Sequence, residues 1–185
     1  TGASFFYFET GDKTEAAAAH FVDEVIDVMK SRGGANKRLA VDKIETPGYV
    51  RLVEKGIEII EGQILTEHAR AVKNDNEIRA MRCAVHACEM AVEEMRYAML
   101  PGVSENEMWA ALHAGNIKRG GEWIETRILS SGPRTNPWFQ ECGPRIMQEG
   151  DMMAFDTDLV GTYCYCCDIS RSWIVGYVAP TEEHK

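Results

Sequence analysis

The chain has 185 residues, a net charge of -9 and 45% apolar residues, a composition typical of a globular protein. Because phosphate binding needs a concentrated basic surface, which this sequence lacks, we expect no nucleic-acid partner. No stretch approaches the roughly 20 apolar residues that span a bilayer, and the first residues lack the order of a signal peptide, so we expect a cytoplasmic protein with no membrane partner.

The first third of the chain predicts a small α/β unit that ends near His68, so we divide the sequence into 1–68 and 69–185. The predicted elements are a strand at 5–8, a helix at 15–30, a strand at 39–41, a helix at 49–56 and a strand with its turn at 57–65. Leu52 and Val53 are expected to face inward. Since the chain opens on one strand-like run and closes just after another, we expect it to be a piece of a longer protein.

Two capped helices follow. Apolar residues step by three and four from Asn76 to Met99, and Asn74 with Glu77 forms a capping arrangement at the start. Ser104 and Glu107 mark the start of the next helix in the same way. Such stripes are more often core packing than cofactor sites.

Strands dominate the remainder. Residues 123–128 alternate and predict a strand, 130–133 and 136–144 predict loops, and 152–160 and 163–177 predict two strands joined by a tight turn at Gly161–Thr162. Asp156 and Asp158 lie two apart on the first of these strands, which puts both side chains on one face, and the hairpin brings Asp156 near Asp168. Three converging carboxylates would suit a pair of hard or borderline cations. The alternative that one or more of them is merely exposed on a polar sheet face stays open.

The order of these features resembles the pita-bread superfamily, which includes creatinase and aminopeptidase P. The resemblance rests on the capped helix with Lys73 and Glu77-Ile78, the turn at 100–105, the Ser131-Gly132-Pro133 loop, Gly150-Asp151 and the hairpin from Asp156 to Arg171. It implies an α/β (α+β) fold: a truncated pita-bread catalytic domain at 69–185, preceded at 1–68 by the C-terminal part of a smaller creatinase-like N-terminal domain.

Two departures from the peptidase pattern favour one branch. Peptidase members usually have a single Asp followed by Gly where this chain has Asp156-Thr157-Asp158, and a substrate-facing His where it has Asn136-Pro137-Trp138. The paired aspartates and the loop at 130–145 are similar to the dimethylsulfoniopropionate lyases built on the same fold.

The resemblance implies a two-metal site with Asp156, Asp158 and Asp168 as half of its ligands. Iron is the expected metal, with manganese, zinc or cobalt as alternatives. The remaining ligands and the catalytic Asp are expected beyond Lys185, so we expect this chain alone to be inactive and the full-length protein to be a homodimer.

The implied reaction is a base-catalysed β-elimination that yields dimethyl sulfide and acrylate from a small-molecule substrate. Aromatic rings attract cations, so Trp138 and Phe139 are candidates for binding the sulfonium group, although packing under the loop or at a dimer contact is the more common role for such residues. A metallopeptidase that cleaves Xaa-Pro bonds and a metal-free binding module of the same fold are the alternatives.

Overall fold

The computed structural model describes residues 6–184. Its backbone contacts divide it into two compact units, with the division between Val72 and Lys73. Within the described part of the chain, no helix is both long enough and apolar enough to cross a membrane.

The first unit combines four helices with two parallel strands. Its elements are α1 (Tyr7–Thr10), α2 (Thr14–Gly33), β1 (Arg38–Val41), α3 (Thr46–Glu54), β2 (Glu58–Glu61) and α4 (Gln63–Ala71). Leu39 pairs with Ile59 in the parallel register, and α3 forms the crossover between the two strands. The core of this unit contains Val22, Leu52 and Ile57. The small α/β architecture predicted from the sequence is therefore present, and its relation to a creatinase-like domain stays a prediction.

Three expectations for this unit were wrong in detail. Phe6, Tyr7 and Phe8 do not form an interior strand, since they enter and begin α1 with 50%, 69% and 81% of their surfaces exposed; Phe5 lies outside the described residues. Val53 is 48% exposed, because only Leu52 faces the core. The predicted turn after β2 is the start of helix α4, which buries no side chain.

The second unit begins with an antiparallel helix pair, α5 (Asp75–Ala98) and α6 (Glu105–Lys118). Both predicted capping boxes are present: the side chain of Asn74 accepts from the N–H of Glu77, and that of Ser104 accepts from the N–H of Glu107. The helices approach most closely at Gly115, where a Cβ would lie 2.8 Å from the Cβ of Ala91. This contact explains a glycine in the middle of a helix.

Five short strands complete the second unit. They are β3 (Leu129–Ser131), β4 (Met152–Asp156), β5 (Leu159–Val160), β6 (Cys166–Cys167) and β7 (Ser170–Ile174). One antiparallel sheet has the order β3-β4-β7, and β5 pairs with β6. The core lies between one face of the larger sheet and the two helices, and includes Met95, Met108, Leu112 and Phe155.

Two strand predictions in this unit were wrong. Residues 123–128 form isolated bridges at Ile124 and Ile128 rather than a strand, and the strand is β3, which includes two of the four residues expected in a loop. Ser130 and Ser131 are fully buried in it. The long strands expected at 152–160 and 163–177 are each broken in the middle, and both breaks fall at the predicted metal ligands.

Candidate metal centre

The acidic hairpin consists of two ladders separated by a break. The β4–β7 ladder ends at the pair Asp156 and Ser170, and the β5–β6 ladder begins at Leu159 and Cys167. The turn is a short helical turn at Thr162–Cys164, in which Tyr163 and Cys164 have φ angles of 61° and 60°. The turn centre is therefore later than the predicted Gly161–Thr162, and Ser170, not Asp168, lies opposite Asp156.

Thr157 spans the break between the ladders. Its side chain is fully buried, accepts a hydrogen bond from the N–H of Ile169 at 2.8 Å and donates to the carbonyl oxygen of Cys167 at 3.3 Å. The hydroxyl thus replaces ladder bonds that the broken strand cannot make. Asp158 follows with φ of 37°, a left-handed conformation that turns its side chain out of the regular strand alternation.

Asp168 lies near both of the other predicted ligands. The N–H of Asp158 donates to Asp168 Oδ1 at 3.3 Å, and the carboxyl of Asp156 lies within hydrogen-bonding reach of that of Asp168. Partial removal from water raises the pKa of Asp168, the neighbouring carboxylates of Asp156 and Asp158 raise it further, and the N–H of Asp158 opposes them. The site therefore concentrates negative charge.

Hydroxyl groups hold two of these carboxylates. Ser170 Oγ donates to Asp156 Oδ1 at 2.6 Å, and Thr126 Oγ1 donates to Asp158 Oδ2 at 3.1 Å. Neither residue was singled out from the sequence. Ser170 had one available signal, since a hydroxyl residue two positions after Asp168 on a strand projects from the same face.

The loop after β3 carries the predicted substrate-binding aromatics. A cis peptide bond joins Asn136 to Pro137, and Phe139 has a φ of 74°. The rings of Trp138 and Phe139 meet edge to face with centroids 6.2 Å apart, but Trp138 is 39% exposed and Phe139 is 72% exposed. Trp138 borders the sheet beside Ser170, whereas Phe139 does not line that surface.

A buried ionic network fixes both ends of this loop. Glu105, fully buried at the first turn of α6, accepts hydrogen bonds from the N–H and hydroxyl of Ser131 at 2.8 and 2.7 Å and from the N–H of Gly143 at 3.0 Å. It also forms an ion pair with Arg134. Arg145 donates to Ser131 Oγ at 2.7 Å and to Asp151 at 2.6 Å. Sequence reasoning missed this network because a charged residue just after a helix cap is normally read as solvated.

Comparison with known proteins decides the family. Residues 79–185 match metallopeptidase family M24. The chain belongs to this family. The predicted pita-bread fold is confirmed, and enzymes of family M24 generally use divalent metal ions.

Two relatives of this chain are named as lyases. The chain is 58% identical to the dimethylsulfoniopropionate lyase DddP of Roseovarius nubinhibens and 53% identical to that of Roseobacter denitrificans. Both alignments cover 97% of this chain and 41% of the relative, so the chain spans about two fifths of the length of these proteins. The predicted resemblance to the lyase branch is confirmed.

A solved M24 structure shows the same fold. The Xaa-Pro dipeptidase of Bacillus anthracis superposes with a TM-score of 0.75 at 28% identity, over 88% of this chain and 45% of that protein. The fold is therefore shared between proteins named as lyases and as peptidases, and does not by itself select the reaction.

The carboxylates of the three predicted ligands, Asp156, Asp158 and Asp168, have the chemistry that suits a divalent cation. Carboxylate oxygens are the donors that hard and borderline ions prefer, and the groups that raise the pKa of Asp168 include two further carboxylates. Between Phe6 and His184, no three His, Cys, Asp or Glu side chains are placed so that they could hold a metal ion. Asp156, Asp158 and Asp168 as ligands stay a prediction.

Proposed function

We propose that this chain is part of a metal-dependent lyase that cleaves dimethylsulfoniopropionate to dimethyl sulfide and acrylate. The observation that carries the proposal is the identity of 58% and 53% to proteins named for this activity, over 97% of the chain. The identity to the superposed Xaa-Pro dipeptidase is 28%.

The acidic hairpin supports the proposal. Asp156, Asp158 and Asp168 would hold part of a two-ion site, with iron expected from the resemblance and manganese, zinc or cobalt as alternatives. Ions bound there would supply Lewis acidity to offset negative charge that grows on the substrate carboxylate. Ser170 and Thr126 would fix the orientation of two of the three carboxylates through their hydroxyl hydrogen bonds.

The reaction itself is an elimination. A base removes a proton from the carbon beside the carboxylate, the electron pair of that C–H bond forms the new double bond, and the C–S bond breaks with its electrons on sulfur. Dimethyl sulfide leaves and acrylate remains. The base is the Asp that the resemblance places outside this chain, so the role of the described residues is to bind and orient the substrate.

The two ends of the substrate carry opposite charges and would bind to different groups. The carboxylate end would lie toward the acidic hairpin and its ions, and the sulfonium end would lie against an aromatic ring, which attracts cations to its face. Trp138 and Phe139 are the two candidates for that ring. The expected partners are otherwise limited: a homodimer of the full-length protein in the cytoplasm, which light scattering and cell fractionation would test.

One observation favours a second function. Superposition on an Xaa-Pro dipeptidase with a TM-score of 0.75 means that this scaffold could equally hold a metallopeptidase site. In that case the residues of the acidic hairpin would keep their role as ligands and the substrate would be a peptide.

The test uses the full-length protein loaded with Fe²⁺ and, separately, with Mn²⁺, Zn²⁺ or Co²⁺. Release of dimethyl sulfide from dimethylsulfoniopropionate is compared with cleavage of an Xaa-Pro dipeptide. Asp168→Ala should abolish the lyase activity, whereas Glu125→Ala, which removes an exposed carboxylate from the neighbouring segment, should retain it. Peptide cleavage without sulfide release would overturn the lyase proposal, and the absence of both activities together with no bound metal would favour a binding module.

A further inference from the structure

An open recess of about 490 Å³ lies beside Asp156 on the larger sheet. We name it the Trp138 recess. It is lined by Trp138, Ala154, Phe155, Ser170, Arg171 and Ser172. Ser170, which donates to Asp156 at 2.6 Å, joins the recess directly to the acidic hairpin.

The floor of the Trp138 recess is a row of small residues. Ser130 lies opposite Ala154 across β3 and β4, and Ala154 lies opposite Ser172 across β4 and β7. Directly opposite residues project from the same face of a sheet, and Asp156, two positions after Ala154, shares that face. The row therefore leaves space above the sheet next to the predicted metal ligands.

The opposite face of the same strands is filled with large side chains. Phe155 is fully buried and its ring contacts that of Trp173, with centroids 5.1 Å apart. Arg171 lies opposite Phe155 in the register, so both residues belong to that other face, although both also border the recess. The Arg171 guanidinium donates to the carbonyl oxygen of Ser170. On the face that carries Asp156, the small residues therefore lie between Asp156 and the large pair Met152 and Ile174.

An unpartnered polar atom marks the inner end of the row. Ser130 is fully buried, and within residues 6–184 its Oγ has no hydrogen-bond partner. A buried hydroxyl without a partner costs free energy, so its presence in this row is unexpected for a purely structural floor.

We propose that the Trp138 recess binds the dimethylsulfonium end of the substrate, with Trp138 as the residue that selects the positive charge. This inference rests on the proposed lyase function and deepens it. A sulfonium carries positive charge on a compact group of methyls and has no N–H or O–H to donate. A tryptophan ring face and a floor without bulky side chains match both properties.

The same geometry separates the two candidate aromatics. Trp138 lines the recess, whereas Phe139 does not line it, is 72% exposed and meets the Trp138 ring edge to face. We therefore assign the sulfonium contact to Trp138 and not to Phe139. Ser172 is exposed and faces the recess from the edge strand, so the size of this side chain sets the space available to the methyl groups.

The experiment measures binding of two stable ligands to the metal-loaded full-length protein by calorimetry. They are 3-(trimethylammonio)propanoate and 4,4-dimethylpentanoate, which have the same shape and carboxylate and differ in whether the bulky end is charged. Trp138→Leu should reduce the preference for the charged ligand by about 2- to 30-fold, as loss of a cation–π contact predicts. Phe139→Leu, at the adjacent ring, should leave the preference unchanged.

A second variant tests the floor. Ser172→Val should weaken binding of both ligands and raise KM for dimethylsulfoniopropionate more than it lowers kcat, because it fills the recess and leaves Asp156, Asp158 and Asp168 unaltered. Metal content and circular dichroism of all variants should match those of the unmodified protein.

The outcomes separate the two proposals. Equal loss of preference in Trp138→Leu and Phe139→Leu, or unaltered preference in both, overturns the recess even if dimethyl sulfide is released. A preference that depends on Trp138 alone supports the recess as a site for a small organic cation, even if the full-length protein releases no dimethyl sulfide and the lyase function fails.

Discussion

Ser170 lies directly opposite Asp156 across β4 and β7 and donates its hydroxyl hydrogen to Asp156 Oδ1 at 2.6 Å. A donor in this position fixes the direction in which the carboxylate presents its second oxygen. Since hydrogen bonds of this kind orient ligands before an ion arrives, the pair connects the register of the sheet to metal affinity.

We therefore expect Ser170→Ala to lower the metal affinity of the full-length protein by about 10- to 100-fold, the usual effect of losing such a partner. Titration with Mn²⁺ or Co²⁺ followed by calorimetry measures it. Ser172→Ala, two positions along the same face, is the matched control and should bind metal normally. Equal affinities for both variants would show that Ser170 does not position Asp156.

Thr157 is expected to matter for stability rather than for chemistry. Thr157→Val keeps the shape but removes the buried hydroxyl that serves Ile169 and Cys167, and should lower the free energy of unfolding by about 1–3 kcal/mol. Urea unfolding of the full-length protein measures the change. Thr157→Ser keeps the hydroxyl and should lose less; a valine variant as stable as the unmodified protein would contradict the role assigned to the hydroxyl.

The features predicted correctly from sequence are those with local causes. The starts of the two long helices could be predicted because each capping box, Asn74 with Glu77 and Ser104 with Glu107, is complete within four residues. The proximity of Asp168 to Asp156 could also be predicted, since the two strands of a hairpin run side by side, whereas the role of these residues as metal ligands stays a prediction.

The register of that hairpin could not be predicted from the sequence. Asp158, Tyr163 and Cys164 all adopt positive φ, a conformation that usually requires Gly or Asn. The residue types at these positions therefore do not indicate where the strands break and turn. The strand β3 was missed for a different reason. Ser130 and Ser131 have the composition of a loop, and they are buried because Glu105, distant in sequence, satisfies the N–H and hydroxyl of Ser131.

Because buried Ser131 depends on Glu105 for its hydrogen bonds, we expect substitution of Glu105 to destabilise the fold. Glu105→Gln keeps the shape but removes the negative charge that pairs with Arg134, and an amide NH2 in place of Oε2 cannot accept the hydrogen bond from the N–H of Gly143. We expect it to lower the free energy of unfolding by about 1.5–3 kcal/mol, as for hydrogen bonds to a charged group. Hydrogen exchange should show faster exchange in the loop from 132 to 146.

The same substitution at an exposed ion pair is the control. Glu141 pairs with Arg127 at 2.9 Å, and both side chains are more than half exposed. Glu141→Gln should leave the unfolding midpoint unchanged, because solvent screens such pairs. If the two glutamines had equal effects, burial of Glu105 would not be the reason for its importance.

The pH dependence of stability should include a contribution from the contact between α5 and α6. Glu94 accepts hydrogen bonds from Arg119 at 2.7 Å and Lys118 at 3.2 Å, and these cations lower the pKa of Glu94 from 4.5 to about 2. A carboxyl with a lowered pKa in the folded state stabilises that state fully above its ordinary pKa, and the contribution is lost as pH falls from about 4.5 towards 2. The difference in unfolding midpoint between the unmodified protein and Glu94→Gln should therefore be largest near neutral pH and shrink through that window.

Glu93→Gln, at a neighbouring carboxylate bonded to the Tyr97 hydroxyl, should show no such trend. A Glu94 difference that stays constant with pH would exclude the ion pairs as its cause.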